Sequence, residues 1–384
     1  MKTAIIGYPR VGTLRELKFA TEKYFTGVLS EAELQDTAAL LRKTHWQTQI
    51  NNGIDFIPSN DFSLYDNMLD TAVLLNVIPK RYRQLRLDPL AEYFAMARGY
   101  QGVNGDVKAL AMKKWFNTNY HYIVPEIEDD TEILLAGTKA FDEFSEAKNL
   151  GIVTKPVIIG AFTFLKLVKF TGNKTADDFA ADIIKAYSEI LKKFNDLGSE
   201  WVQFDEPALV MDLTTDDIAL LNRIYSEILL AKGSSKVLLQ TYFGDLRDCY
   251  QEVALQPFDG IGLDFIEGKN TLDLVKRFGF PKTKTLFAGV INGKNIWRNN
   301  YGHTLRIIEE LRNSGVNVVL STSCSLLHVP YTLKNESSLA DEYKRHFAFA
   351  DEKLSELADL KKIITSNTHL YIPEYIANTS SLCW

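Results

Sequence analysis

Four stretches of the chain gather side chains that can do chemistry. The first is Gly7-Tyr8-Pro9-Arg10-Val11-Gly12-Thr13-Leu14-Arg15-Glu16-Leu17-Lys18, directly after a strand-like apolar run. Thr13 and Glu16 have the Ser/Thr-x-x-Glu spacing of a capping box, which satisfies free amides at a helix start and by itself accounts for both residues. Arg15 and Lys18 need another reason, because the helix dipole opposes a cation in the first turn by about 0.3–1 kcal/mol. Three apart, they share a face; over helix N-terminal amides they make an anion site, and otherwise they form a solvated face. The second stretch, Lys113-Lys114-Trp115-Phe116-Asn117-Thr118-Asn119-Tyr120-His121-Tyr122, mixes aromatics, amides, a histidine and two lysines without helical or strand period. Such mixtures suit a binding loop, or a loop packing its rings on a scaffold rim.

The third stretch is Trp201-Val202-Gln203-Phe204-Asp205-Glu206-Pro207-Ala208-Leu209. It reads as a buried strand ending in two carboxylates, with Pro207 keeping Glu206 out of helical conformation. Asp205 and Glu206 can bind ligand or work as acid and base there, or form an internal ion pair. The fourth, Ser321-Thr322-Ser323-Cys324-Ser325-Leu326-Leu327-His328, holds a thiol and an imidazole four apart. Zinc needs three or four ligands, and no second Cys/His group or His-Glu-x-x-His segment supplies them. A buried thiol beside a hydrogen-bonded histidine is the plainer expectation. Nucleophile elbows, Walker loops and the dinucleotide glycine fingerprint are absent, which removes the common hydrolase, kinase and dehydrogenase readings.

The elements that must position these groups follow from the apolar pattern. Lys2–Gly7, Asp55–Ser59, Lys155–Phe162, Trp201–Phe204, Val237–Tyr242, Gly260–Ile266, Leu286–Ile291 and Asn317–Ser321 read as strands. All but Val237–Tyr242 are nearly continuous apolar runs, as in parallel strands covered on both faces. Amphipathic helices alternate with them, including Asp177–Asn195, Asp216–Leu230 and Thr304–Ser314. Eight such units predict an α/β fold of the (βα)8 TIM-barrel type, with the strands' C-terminal ends carrying any site. Helices predicted at Leu14–Phe25 and Glu31–Asn52, then at Tyr65–Leu75, Pro89–Gly99 and Thr131–Asn149, are insertions after the first two strands. A charged helix over Leu339–Leu360 is expected to close the barrel. The tail Ile364–Trp384 has little period and reads as the start of a linker.

Composition sets the outer bounds. The 384 residues are 46% apolar, enough for a large core. A net charge of −6 leaves no basic stripe to neutralise phosphates, so no nucleic acid is expected. The longest apolar run, Pro156 to Leu165, is too short to cross a bilayer, so no membrane partner is expected. No signal-peptide core precedes the first strand. Three cysteines, Cys249, Cys324 and Cys383, lie far apart and suggest no disulfide framework. A cytoplasmic setting is the expectation.

Taken together the segments resemble the N-terminal domain of cobalamin-independent methionine synthase, 5-methyltetrahydropteroyltriglutamate–homocysteine methyltransferase. The likeness runs from about residue 5 to residue 350. It rests on Gly7–Gly12 with Arg15–Lys18, on His45-Trp46 with Gln49, and on Asp61-Phe62 with Tyr65-Asp66. Trp115–Tyr122 with Val124-Pro125-Glu126, Trp201–Leu209, Thr241-Tyr242-Phe243, Gly289–Arg298 and Ser323–His328 also fit. Phe25 departs from a usual Trp, and Asn60 from a usual Gly. The resemblance implies a family of two facing βα barrels. Catalytic zinc, the homocysteine site and most of the pterin pocket would lie in the C-terminal barrel, held by a His-x-Cys pair, a Glu and a later Cys. This chain contains no His-x-Cys pair. It implies a barrel over 1–363, the start of an interdomain linker over 364–384, and the C-terminal zinc barrel as a partner absent from the chain. Arg15, Glu16, Leu17, Lys18 and Lys114 would bind the polyglutamate tail of 5-methyltetrahydropteroyltriglutamate and are expected to converge. No cofactor and no catalytic residue are expected within the chain itself. A free-standing folate-binding module or subunit is the alternative. A different enzyme using Asp205, Glu206 and His121 is a third reading.

Overall fold

In the computed structural model, which describes residues 1–366 and 372–382, eight parallel strands form one sheet wrapped into a barrel. They are β1 (Lys2–Ala4), β2 (Ile57–Ser59), β3 (Thr154–Ile159), β4 (Trp201–Asp205), β5 (Lys236–Gln240), β6 (Gly260–Asp264), β7 (Thr285–Ile291) and β8 (Asn317–Thr322). Neighbours in sequence are neighbours in the sheet from β2 to β8, and β8 returns to β1 through Lys2↔Val319, Thr3↔Leu320 and Ala4↔Ser321. The seam between β1 and β2 is a parallel bridge from Ala4 to Phe56. Each of the eight expected strands is present, and the TIM-type class holds.

Two layers fill the barrel. At its N-terminal end Ala4, Trp201, Leu238, Phe287 and Val319 pack with Phe56 into an apolar plug. Above it the interior turns polar, with Lys155, Gln203 and Asp205 all buried. Outside, α1 (Glu16–Phe25) and α2 (Glu31–Asn51) follow β1, and helices Asn67–Leu74, Pro89–Arg98 and Lys139–Asn149 follow β2, as expected of the insertions. Among the described residues no helix is long and apolar enough to cross a membrane.

Several boundaries differ from expectation, each for a local reason. The apolar run after Lys155 stays a strand only to Ile159. Helix Ala161–Leu167 begins there because the Glu206 carboxylate accepts from the amides of Phe162 at 2.9 Å and Thr163 at 2.7 Å. The helix expected from Thr131 starts only at Lys139. Before it, the Leu134 and Ala136 amides bond the carbonyls of Leu75 and Leu74, and a Cβ on Gly137 would lie 2.8 Å from Leu74 Cα. The single helix expected over Leu339–Leu360 divides into Asp341–Lys344 and Ala350–Thr365, because Phe347 bridges Trp297 and Ala348 N donates to Ile296 O. In the tail, helix Pro373–Leu382 is tied to the barrel wall: Asn378 accepts from Tyr301 N at 3.1 Å and donates to Asn299 O at 2.8 Å. Residues 367–371, Cys383 and Trp384 of that tail lie outside the described residues.

Candidate functional site

The loop after β1 opens onto the C-terminal face of the barrel. Its chain doubles back through two left-handed residues, Gly12 (φ 80°) and Arg15 (φ 64°). At Gly12 the left-handed φ would strain any side chain, and a Cβ there would also lie 2.1 Å from the Glu16 carboxylate. The expected capping box at Thr13 and Glu16 is not formed, a correction to the sequence reading. Helix α1 starts at Glu16 with Arg15 as its N-cap, and no side chain caps it. Glu16 instead accepts from the Leu14 amide at 3.0 Å, while Thr13 is held by Asn335, which donates from Nδ2 to the Thr13 carbonyl at 2.7 Å and Oγ1 at 3.1 Å. The turn at Arg15 delays the helix by two residues and takes Thr13 out of capping range. Arg15 is exposed, Leu17 is buried, and Lys18 is exposed with a 3.8 Å pairing to Glu22. A groove of about 440 Å³ runs beside the loop, lined by Arg10, Thr13, Arg15, Phe19, Tyr331 and Asn335 among others.

The aromatic stretch is not a plain loop but a hairpin. Met112–Lys114 pairs antiparallel with His121–Ile123, and Trp115 N extends the ladder to Tyr120 O at 2.8 Å. Asp66 anchors it by accepting from Ile123 N at 3.1 Å while capping helix Asn67–Leu74. Alternation puts Trp115 and Tyr122 inward, both buried, and leaves Lys114 and His121 exposed. The hairpin's tip reaches across the barrel mouth: Asn117 Nδ2 donates to Glu267 at 2.9 Å, and Lys294 Nζ donates to Asn117 at 2.9 Å and to Glu267 at 2.7 Å. Phe116 and His328 both pack on Phe243, at 5.6 and 5.5 Å between ring centroids. Beneath this lid the mouth has shrunk to about 40 Å³, between Asp61, Trp115, Tyr120, Asp205, Tyr242 and His328. Leu327 lines both this cavity and the groove beside Arg15. Arg15 and Lys18 thus share the start of α1, while Lys114 stands on the hairpin of the same barrel face.

The two carboxylates ending β4 face opposite ways. Glu206 turns outward under helix Ala161–Leu167, fully buried, and also accepts from Tyr225 Oη. Three donors around it make it a structural cap, and burial raises it to about 7. Asp205 turns into the barrel, accepting from Gln203 Nε2 at 2.7 Å and Tyr242 Oη at 3.1 Å. Lys155 donates to the Ile5 carbonyl at 3.0 Å and to Gln203 Oε1. Burial pushes the Asp205 carboxyl up and the Lys155 ammonium down, while the attraction between them, and that of Asp61 for the lysine, opposes both shifts. His121, exposed on the hairpin with Nδ1 toward Asn119 O at 3.1 Å, has no place in this network, so the acid–base trio of Asp205, Glu206 and His121 is not assembled.

Comparison with known proteins shows the family. The sequence profile described as "Cobalamin-independent synthase, N-terminal domain" matches residues 2–316. The chain belongs to the cobalamin-independent methionine synthase family. It is 56% identical over 367 residues to the 5-methyltetrahydropteroyltriglutamate–homocysteine methyltransferase of Campylobacter jejuni subsp. doylei, covering 96% of this chain and 49% of that protein. To the enzyme of the same name from Streptococcus suis it is 54% identical over 390 residues, covering 100% of this chain and 52% of the other. The chain spans about half the length of the curated relatives it matches. A Listeria monocytogenes protein assigned as a vitamin-B12-independent methionine synthase superposes with a TM-score of 0.67 at 14% identity, covering 96% of this chain and 98% of its own. A Shewanella B12-independent methionine synthase, solved with selenomethionine, gives 0.59 at 15% identity and covers 88% and 92% of the two chains. At those identities the two structures speak to the fold alone.

The family resemblance implies zinc, and the described residues of this chain do not fit that metal. Among the described residues no three His, Cys, Asp or Glu side chains are grouped to ligate an ion. The Cys324 thiol is 1% exposed, and burial raises it far above the ordinary thiol range, the opposite of what a thiolate ligand needs. His328 is packed between the rings of Tyr120 and Phe243 and is lowered to about 4, by burial and then by Lys294. Three residues of this barrel escaped the sequence reading as site groups: Lys155, Asn335 and Glu267. Each acts through a partner at least 27 residues away, which spacing along the chain cannot reveal.

Proposed function

We propose that this chain is the folate-polyglutamate-binding barrel of a methyltransferase that moves the methyl of 5-methyltetrahydropteroyltriglutamate to homocysteine, making methionine. The observation that carries the reading is the match of 96–100% of this chain to relatives bearing that name. The chemistry of the barrel face supports it. Arg15 and Lys18 stand at the exposed start of α1, and the Glu22 carboxylate holds Lys18 only weakly at that distance and exposure. A triglutamate tail is polyanionic, so these cations and Lys114 favour it over a single glutamate. Glu16 and Leu17 serve the turn and the packing, the first by bonding the Leu14 amide and the second by burial.

The chain's share of the reaction is to hold the folate tail and wall off one side of the cleft. Homocysteine and the zinc implied by the family would belong to a second, C-terminal barrel as partner, and no step in this chain passes through the metal. The soluble fold and two buried free thiols, Cys249 and Cys324, agree with a cytoplasmic setting. Calorimetric titration with folate triglutamate and monoglutamate, at low and high salt, tests the reading. Salt-sensitive binding of the triglutamate, with the monoglutamate far weaker, is expected. If neither binds, and adding the separately made catalytic barrel of a relative does not restore binding, the reading is wrong.

A further inference from the structure

Arg15 adopts φ 64° and ψ 35°, a left-handed conformation that strains a non-glycine residue and persists only where the surroundings impose it. Within the loop, Arg15 N bonds Gly12 O at 3.3 Å, Leu17 N bonds Val11 O at 3.2 Å, and Leu14 N bonds the Glu16 carboxylate at 3.0 Å. The tether from outside is Asn335, 322 residues away in sequence, which sits in a short helical turn after β8. Its single amide nitrogen spans the Thr13 carbonyl and hydroxyl at 2.7 and 3.1 Å, two residues before Arg15. Thr332, Asn335 and Arg15 line the same groove. The turn holding Asn335 is itself fixed: Thr332 Oγ1 accepts from Lys334 N, and Glu352, on the helix closing the barrel, accepts from Leu333 N at 3.2 Å.

We propose that Asn335 is a positioning residue for tail recognition, holding the Gly12–Arg15 turn so that the Arg15 guanidinium is preset for a glutamyl carboxylate. It spends no contact on the folate itself. It clamps the loop after the first strand to the loop after the last, so the ordering entropy of Arg15 is met before the ligand arrives. An asparagine suits the task because its Nδ2 carries two hydrogens and can serve both oxygens of Thr13. Asn335→Asp keeps the shape but sets an anionic acceptor against the Thr13 carbonyl, and it should behave like Asn335→Ala.

The proposal rests on the tail-binding reading above, and one experiment separates the two. Triglutamate and monoglutamate affinities are measured by calorimetry for the 384-residue chain and for Arg15→Gln, Asn335→Ala, Asn335→Asp and the Arg15→Gln/Asn335→Ala pair. Removing the charge-assisted contact in Arg15→Gln should cost about tenfold in triglutamate affinity. Asn335→Ala and Asn335→Asp should cost about three- to tenfold, no more than Arg15→Gln, with the monoglutamate value unmoved. In the double variant the Asn335 effect should vanish, since it acts through Arg15. Additive losses, or equal losses for both ligands, overturn the positioning role and leave the tail site standing. Unchanged triglutamate affinity in Arg15→Gln, or no binding by the unaltered chain even with the catalytic barrel of a relative added, overturns both.

Discussion

His45 lies on α2 against the rings of Tyr8, Phe62 and Tyr331, at centroid distances of 5.2, 6.3 and 5.8 Å. It is 5% exposed and its Nε2 has no hydrogen-bond partner. Burial, with the Arg42 charge nearby, lowers it to about 3. The folded protein therefore keeps it neutral at a pH where the unfolded chain binds a proton. Below an unfolded value of about 6.5 the unfolded state holds more protons, so stability from this group is present above that pH and lost as pH falls toward 3. Glu206 and Asp66, each raised to about 7 by burial, act in the opposite sense, losing stability as pH rises from their unfolded values toward 7. Only a comparison of variants isolates the histidine. His45→Phe, which keeps a ring in the aromatic cluster, should lessen the stability loss between pH 7.5 and 5 by about 2 kcal/mol, read from urea unfolding at both pH values. Identical losses in variant and parent would show that His45 does not govern acid sensitivity. That His45 belonged to a recurring motif was legible in the sequence. That its Nε2 has no partner was not, because the rings around it come from three separated segments.

At the scale of elements, hydrophobic period located the eight barrel strands and most of the long helices but not the short helices and hairpin strands, and local contacts decided where several began. The sequence contains two Ser/Thr-x-x-Glu signatures near each other, Thr13/Glu16 and Ser30/Glu33. The structure builds the capping box at the second: Glu33 N donates to Ser30 Oγ at 3.3 Å, and Ser30 N donates to Glu33 at 2.8 Å. Thr13 loses the competition because Gly12 and Arg15 take left-handed conformations, and because Asn335 claims its oxygens. Spacing cannot tell a box from a turn when the deciding donor lies at the other end of the chain. The hairpin carrying Lys114 was likewise hidden, since three-residue strands are too short to display alternation. Ser30→Ala should therefore destabilise the protein by about 1 kcal/mol in urea unfolding, through the start of α2, and leave folate binding as it was. An unchanged midpoint would mean that the box contributes nothing to that helix. Loss of tail binding would mean that α2 positions the site more directly than its contacts indicate.

At the scale of the whole molecule, eight strand-like runs, seven of them nearly continuously apolar, announced the barrel, and burial on both faces explains why they could be read so directly. What fills the barrel was less visible. Lys155, Gln203, Asp205 and Tyr242 come from three strands or their ends and form one buried polar network above the apolar plug. Asp61, whose carboxylate accepts from Tyr8 N at 2.8 Å, adds a second negative charge near the lysine. The network closes the mouth from below while Trp115 and Tyr120 close it from above, leaving about 40 Å³, room for a water or two and too little for a pterin. In the proposed function a barrel so filled would serve as a wall and a tail holder. Its stability depends on Lys155, a buried ammonium attracted by the charges of Asp205 and Asp61. Lys155→Met removes that charge without opening a large void, and should cost about 3–5 kcal/mol, because Asp205 and Asp61 are left without compensation. Adding Asp205→Asn to it should recover a large part of that loss, since the remaining amide can still bond Gln203 and Tyr242. Urea unfolding of the single and double variants at pH 8, where both carboxylates press to ionise, reads the difference. A single variant as stable as the parent would show the network to be dispensable filler, and a double variant no better than the single would place the lysine's role in packing rather than charge.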